Sequence, residues 1–188
     1  MKPIDVLMQE HRVIEGVLDA LETAANRLER GESVRPRFFI DAAEFIRDFA
    51  DGCHHRKEEG VLFGAMVDAG APAEGGAIEM MLEEHEDGRR YTRAMRDAAV
   101  RLERGEGAAR GDIIANAKRY VALLREHIVK EDEMLFPMAA ELIPPSREED
   151  LLERFERLEA DDAGPGAHAR LVALASELAR EAVSVDSR

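Results

Sequence analysis

The stretch His127-Ile128-Val129-Lys130-Glu131-Asp132-Glu133-Met134-Leu135-Phe136-Pro137 decides how this chain is built, because a similar stretch occurs upstream as His54-His55-Arg56-Lys57-Glu58-Glu59-Gly60-Val61-Leu62-Phe63. The two stretches superpose as H-x-x-K-E-acid-x-x-L-F. A histidine and a glutamate four residues apart lie about one turn apart on one face of an α-helix, so one cation is within reach of both side chains. Two such helices facing each other predict a site for two metal ions.

The composition favours one helical domain and excludes several classes of partner. With 45% hydrophobic residues, 5% aromatic residues and no Trp, the 188-residue chain has the profile of amphipathic helices around a single core. A formal net charge of −14 repels phosphate backbones and anionic lipid, and no basic stripe offsets it, so we expect no nucleic-acid and no membrane partner. A single Cys excludes an internal disulfide framework, and the first residues lack the apolar run of a signal peptide, which predicts a cytoplasmic location. The composition does not fix an oligomeric state.

Apolar seams predict four helices that repeat as two hairpins. A seam over residues 4–28 contains His11, and its repeat 74 positions later contains His85. Both seams end in Leu-Glu-Arg-Gly-Glu, whose Gly suits a left-handed helix end. The two helices that carry the metal motif run over about residues 36–66 and 112–142. We therefore predict an all-α, up-down-up-down four-helix bundle built from a duplicated helical hairpin.

Two shorter apolar patterns follow the bundle. They predict a pair of helices separated by Gly-Pro-Gly at residues 164–166, with the apolar positions Leu151, Leu152, Phe155 and Leu158, then Leu171, Leu174 and Leu178. We expect residues 1–145 to form the metal-binding bundle and residues 146–188 to form a C-terminal helical extension packed on it, with a polar tail after Val185.

The second helix changes register next to its metal motif. Its seam runs through Phe45, Phe49 and Cys53, after which the positions that suit His54 and Glu58 are displaced by about one residue. A π-bulge near Gly52 would absorb the extra residue, and such bulges are frequent at functional sites. The alternative is a seam that passes through His55 and Glu59. The seam of the fourth helix, by contrast, is read without a break through Glu131 and Met134.

The histidines of the four helices are predicted to lie at one level of the bundle. Residues equidistant from a turn lie side by side in an antiparallel hairpin. One histidine lies on each helix: His11, His54, His85 and His127. The midpoints of the three successive pairs fall at residues 32–33, 69–70 and 106, each within a predicted loop. Level histidines with two glutamates one turn away form a costly polar core unless a cation binds them. The constellation therefore predicts a metal site, although each histidine alone is typical of an ordinary helix.

The pattern resembles the hemerythrin-like, or HHE cation-binding, family, whose four helices carry H…HxxxE…H…HxxxE around a non-haem di-iron centre. The match extends over residues 4–142 and includes Glu-His pairs at 10–11 and 84–85 and the Leu-Phe after each metal motif. The resemblance implies two iron ions joined by an oxo or hydroxo bridge, although zinc or manganese also suits these residue types. By position it implies Glu58 and Glu131 as bridging carboxylates within the ligand set His11, His54, Glu58, His85, His127 and Glu131.

One position departs from the oxygen-carrying hemerythrins. These have H-x-x-x-H on the third helix, whereas here the residue four after His85 is Arg89, so one imidazole is missing. His55 is the candidate for the missing nitrogen, and the alternative is that it lies outside the ligand set or faces solvent. Arg89 is expected to pair with Glu84, with Glu86 or with a bound anion such as peroxide. The departure favours sensing or scavenging over reversible oxygen carriage.

Three functions are weighed from the sequence. The leading one is a non-enzymatic or weakly enzymatic di-iron protein that binds dioxygen, nitric oxide or peroxide, or senses iron. The second is a ferritin-like di-iron oxidoreductase, which is disfavoured because no histidine has a Glu three residues before it, as that class requires. The third is a metal-free structural or interaction bundle in which the histidines merely pack. Cys53 is expected to be a small buried hydrophobe, and Tyr120 a core aromatic with a hydrated hydroxyl.

Overall fold

Helices make up the regular structure of the described chain. The computed structural model describes residues 2–163 and 166–184, and over these ranges it contains no strand, which confirms the all-α prediction. None of the described helices has both the length and the apolar composition needed to cross a membrane. The helices are α1 Pro3–Glu29; α2, residues 36–68, in the segments Pro36–Phe45, Ile46–His55, Glu58–Leu62 and Phe63–Asp68; α3 Ala77–Glu103; α4, residues 109–142, in the segments Ala109–Lys130, Glu131–Leu135 and Phe136–Leu142; a 3-10 turn Pro145–Arg147; α5 Glu148–Ala163; and α6 Ala167–Val183.

Glycine and proline set the ends of the hairpin helices as the repeat predicts. Gly31 has a φ of 81° and Gly105 a φ of 94°, a left-handed conformation that costs glycine little. After each glycine, the amide of the following Glu donates to the carbonyl five residues before it, at 3.0 Å. Pro36 lies in the first turn of α2, where its missing N–H removes no helical hydrogen bond. The first helix of each hairpin therefore ends in the same way.

The four long helices form a bundle in which α2 packs on α3, α3 on α4, and α4 on α1. Direct contact between α1 and α2 is sparse, and the C-terminal helices α5 and α6 pack over the groove between them. Leu151 and Phe155 of α5 and Leu178 of α6 are buried in this contact. Residues 164–165 of the predicted turn and the tail after Val185 lie outside the described residues. The extension therefore covers one side of the bundle.

Two apolar clusters lie on opposite sides of the level at which the histidines are found. The larger cluster, toward the first and third loops, includes Phe45, Phe49 and Leu124, whereas the smaller one, toward the second loop, includes Leu62 and Phe136. Burial of this apolar surface drives the helices together. The polar centre is consequently enclosed along the bundle axis by apolar side chains.

Helix α2 widens where its apolar seam changes register. Ile46–His55 and Glu58–Leu62 are π-helical, which confirms the predicted bulge near Gly52. Glu58 is fully buried whereas Glu59 is only partly buried, so the seam passes through Glu58. Of the alternative pair, His55 is buried as well, and the alternative is wrong at Glu59. The unbroken seam predicted for α4 is also wrong at Met134. That side chain is 62% exposed, because the π segment Glu131–Leu135 shifts the register and buries Leu135 in its place.

Candidate metal centre

The seven residues predicted as metal ligands lie together in the middle of the bundle, each at most 3% exposed. They form two groups, each with its potential ligand atoms within 4.8 Å of one another. The first group is His11, His54, Glu58 and Glu131, and the second group is His55, Glu58, His85 and His127. Ring centroids lie 4.6 Å apart for His11 and His54 and 4.8 Å apart for His85 and His127. The prediction that the histidines share one level is confirmed.

Each of the two glutamates faces both groups. Glu131 places one oxygen 3.1 Å from His11 Nε2 and the other 3.2 Å from His127 Nε2. The oxygens of Glu58 lie 3.5 Å from His54 Nε2 and 3.6 Å from His85 Nε2. Two atoms that bind one ion at about 2.0–2.2 Å lie roughly 3.0–3.4 Å apart. The Glu131 separations fall within this range, and those of Glu58 lie slightly above it, so each carboxylate is placed to reach both groups.

Every histidine of the centre donates from Nδ1 to a carboxylate. Because a carboxylate only accepts, Nδ1 carries the proton and Nε2 remains for the interior. Partners of this kind fix the tautomer and the ring orientation of metal-binding histidines. The pairs are His11 with Asp132 at 2.7 Å, His54 with Glu10 at 3.0 Å, His55 with Asp51 at 2.9 Å, His85 with Glu59 at 2.7 Å, and His127 with Glu84 at 2.9 Å.

The sequence did not predict that these five carboxylates accept from the histidines, although four of them occur at repeated positions. Glu10 and Glu84 belong to the repeated Glu-His pairs, and Glu59 and Asp132 are the repeated acid after each motif glutamate. Each of the four reaches a histidine on another helix, so the Glu-His pairs do not act on their own neighbours. Asp51 has no counterpart in the repeat, because its histidine, His55, has none.

The lysine of each metal motif extends these pairs, and here the two repeats differ. Lys57 contacts Glu10 and Lys130 contacts Glu84, each the carboxylate that accepts from a motif histidine. The Lys57 side chain is fully buried and also contacts Glu159 of α5. The Lys130 side chain is 26% exposed. The C-terminal extension therefore covers one of two equivalent positions.

A third group of metal-binding residue types surrounds the Lys57 ammonium. Glu10, Cys53, Glu159 and His168 each offer an atom within 4.8 Å of the others. Lys57 contacts the carboxylates of Glu10 and Glu159 and lies 3.3 Å from the sulfur of Cys53. A metal ion here would displace an ammonium group that is already paired. This cluster is therefore an ion-pair network.

Cys53 differs from its prediction, whereas Tyr120 is a core aromatic as predicted and differs only at its hydroxyl. Cys53 is only partly buried and lies among charged groups, and burial raises the pKa of its thiol to about 12. Tyr120 is 1% exposed, and its hydroxyl, predicted to be hydrated, is buried without a hydrogen-bond partner among the described residues. Burial raises the pKa of this phenol well above its usual value. The Tyr120 ring instead packs beside Gly88, where an added Cβ would lie 3.4 Å from it.

Several inner atoms of the centre lack hydrogen bonds, although Nε2 of His85 and Nε2 of His127 share one at 3.1 Å. Among the described residues, Nε2 of His11, Nε2 of His54 and both oxygens of Glu58 and of Glu131 are buried and form no hydrogen bond. Burial and the nearby charge of Glu131 raise the pKa of Glu58 well above its usual range. Burial lowers the pKa of His54 to about 4, which keeps this imidazole neutral. Burial opposes protonation of His127 as well, but its contacts with Glu131 and Glu84 outweigh burial and raise its pKa to about 9. A metal ion that binds these carboxylate oxygens and imidazole nitrogens therefore displaces a proton from that ring.

Arg89 lies beside the second group, with its donors directed at carboxylates. Its Nη1 donates to Glu86 at 2.6 Å, and its Nη2 donates to Glu59 at 2.7 Å. Its Nε lies 3.4 Å from Asp51. The predicted pairing with Glu86 is confirmed. The alternative pairing with Glu84 is wrong, because that carboxylate contacts the motif histidine and lysine of α4 instead.

Comparisons with known proteins agree with this geometry. The family model described as hemerythrin HHE cation binding domain matches residues 2–139. Three uncharacterized proteins, one from Mycobacterium bovis and two from strains of Mycobacterium tuberculosis, are each 23% identical over 150 residues. The alignment covers 80% of this chain and 58% of each relative, so the chain spans little more than half the length of these curated relatives. No solved structure matches the chain. Because the family model matches well over half of its residues, the chain belongs to the hemerythrin HHE cation-binding domain family.

Proposed function

We propose that this chain is a hemerythrin-type protein that binds two iron ions and that the ion pair binds or senses dioxygen, nitric oxide, peroxide or iron itself. The observation that carries the proposal is the buried centre in which two carboxylates each face an imidazole of both groups. Imidazole nitrogen and carboxylate oxygen suit iron, and zinc and manganese are the competing ions. The family to which the chain belongs supports cation binding. The metal-binding unit in this proposal is residues 1–145.

The two ions have different protein donors in this proposal. His11 and His54 would hold the first ion, whereas His55, His85 and His127 would hold the second. Glu58 and Glu131 would serve both, since each lies close to a histidine of either group. The first group offers one imidazole fewer than the second. We therefore expect an exogenous small molecule to bind on the side of the first group.

Bound iron supplies the redox chemistry, and the protein supplies orientation and exclusion of water. The outer carboxylates hold each imidazole with Nε2 toward the interior. Aromatic rings close the centre on one side, since Phe136 stacks on His11 with centroids 5.4 Å apart and Phe63 stacks on His85 at 6.2 Å. With water excluded, electrostatic interactions within the centre are strengthened. Such a centre favours a sensor or scavenger of small oxidants that reacts without a large substrate.

A metal-free structural bundle is a poorer explanation of the same residues. Leaving a buried polar atom unpaired costs about 1–3 kcal/mol, and Nε2 of His54 and both oxygens of Glu58 are such atoms here. Their cost is a substantial part of the whole net stability of a domain, about 5–15 kcal/mol. A bundle that served only for packing would gain stability from apolar residues at these positions.

The cytoplasmic location predicted from the sequence stays a prediction.

Elemental analysis of protein produced without a histidine tag in iron-supplemented medium tests the proposal. We expect close to two iron atoms per chain and near-ultraviolet charge-transfer absorption after air oxidation, because two groups of ligands share two carboxylates. Stoichiometric zinc without iron would contradict the di-iron assignment. Protein that takes up no metal from iron, zinc or manganese solutions would contradict metal binding altogether.

A further inference from the structure

Arg89 joins two of the carboxylates that orient histidines of the second group. We propose that Arg89 is a positioning residue: through Glu59 and Asp51 it holds the rings of His85 and His55 so that both bind one ion. This inference rests on the proposed function. It assigns a role to the residue at which the chain departs from the histidine pattern of oxygen-carrying hemerythrins.

The contacts converge on two oxygen atoms. Oε1 of Glu59 accepts from His85 Nδ1 at 2.7 Å and from Arg89 Nη2 at 2.7 Å. Oδ1 of Asp51 accepts from His55 Nδ1 at 2.9 Å and lies 3.4 Å from Arg89 Nε. One guanidinium group therefore touches the same oxygens that hold the two imidazoles. A shift of its plane moves both carboxylates, and with them both rings.

The like charges of Asp51 and Glu59 favour a positively charged side chain beside them. Asp51, Glu59 and Arg89 have side chains that are 19%, 29% and 21% exposed, so solvent screens their charges less than those of surface groups. Without Arg89, the two carboxylates that its Nε and Nη2 contact would repel each other. The guanidinium suits this position because its planar fork spans two acceptors, whereas a lysine ammonium is a point charge.

The stacking of the two rings shows why both need support. The rings of His55 and His85 lie face to face, with centroids 3.9 Å apart and planes inclined by 14°. They come from different helices, and a rotation of either ring about its Cβ–Cγ bond would separate their nitrogens from a shared ion. The fifth imidazole thus comes from α2, and the arginine on α3 holds it beside His85.

The test compares iron affinities of variants in metal-free protein titrated anaerobically with Fe(II) against a chromophoric chelator. Arg89→Met should weaken iron binding about 10-fold, the lower end of the loss for an outer partner of metal ligands, because Arg89 acts through Glu59 and Asp51. Arg89→Lys should restore only part of the affinity. The matched control is Arg90→Met, which removes the same charge from the neighbouring residue, 60% exposed and paired with Asp87. This control should bind iron within about twofold of the wild type, as expected for a surface ion pair.

A second readout separates positioning from a general effect on folding. In a His55→Ala background, Arg89→Met should cost clearly less affinity, because one of the two rings that it supports is gone. In the metal-free protein, the Nδ1–H resonances of both histidines should exchange faster with water when Arg89 is replaced. Equal losses in both backgrounds, or wild-type affinity of Arg89→Met, would overturn the inference alone. A wild-type protein that binds no iron would contradict the proposed function, and the inference with it.

Discussion

Replacement of Lys57 by Met should destabilise the protein much more than replacement of Lys130 by Met, although the two lysines occupy equivalent positions of the internal repeat. Lys57 is fully buried between Glu10 and Glu159, whereas Lys130 is 26% exposed beside Glu84. The methionine fills a similar volume in both variants. The difference between them therefore reports the ion pairs.

The structure sets the size of the effect. Removal of one partner of a buried ion pair costs about 3–5 kcal/mol, because the remaining charge is left buried and uncompensated. Glu10 is 4% exposed, but it still accepts from His54 Nδ1, and Glu159 is 38% exposed and screened by solvent. We therefore expect the lower end, about 3 kcal/mol. For a chain of this length that corresponds to a melting temperature lower by roughly 6–12 °C. The Lys130 variant should lose about 1 kcal/mol, or roughly 2–4 °C.

Thermal unfolding followed by circular dichroism measures both variants against the wild type. The comparison is made on metal-free and on iron-saturated protein, so that a change in metal content is not mistaken for a change in the bundle. The ranking of the two variants should be the same in both states. Equal melting temperatures for the two variants, or a larger loss in the Lys130 variant, would refute the argument from burial.

Three further predictions concern the ligands and their partners. Glu58→Ala and Glu131→Ala should each lose both ions, because each carboxylate faces both groups; retention of two ions per chain, by elemental analysis, would exclude a bridging role. Glu59→Ala should weaken iron binding about 10–100-fold in a chelator competition, because the ring of His85 loses its acceptor; an unchanged affinity would speak against this role. His55→Ala should alter the near-ultraviolet spectrum and speed the reaction of reduced protein with dioxygen in stopped-flow mixing, and unchanged spectra and rates would show that His55 is not a ligand.

The sequence predicts the bundle and the grouping of the candidate ligands well, because both depend on local spacing. The 74-residue repeat, the helix-ending Leu-Glu-Arg-Gly-Glu and the distances to each turn are properties of single hairpins. They were enough to place His11, His54, His85 and His127 at one level, which the ring distances confirm. The shift of register near Gly52 was visible for the same reason, since it interrupts a local apolar seam.

The remainder depends on contacts between helices that no local pattern records. The burial of Lys57 follows from where α5 crosses the bundle, and the chain offers no sign of this before the extension is placed. The exposure of Met134 follows from a π segment that leaves no break in the apolar pattern. Asp51 belongs to no repeated pattern in the sequence. Its contact with Arg89 of another helix is visible only in the structure.

The π segments of α2 show how a helix can hold an extra residue without losing its core contacts. In a regular α-helix an inserted residue rotates everything beyond it by about 100° and would turn one apolar face into solvent. Here the extra residue is taken up between Ile46 and His55, so Phe45 before it and Leu62 after it are both fully buried. One extra residue is therefore absorbed within a few turns of this helix. The adjacent residues His54 and His55 can thus both be buried in the centre while the apolar contacts on either side are kept.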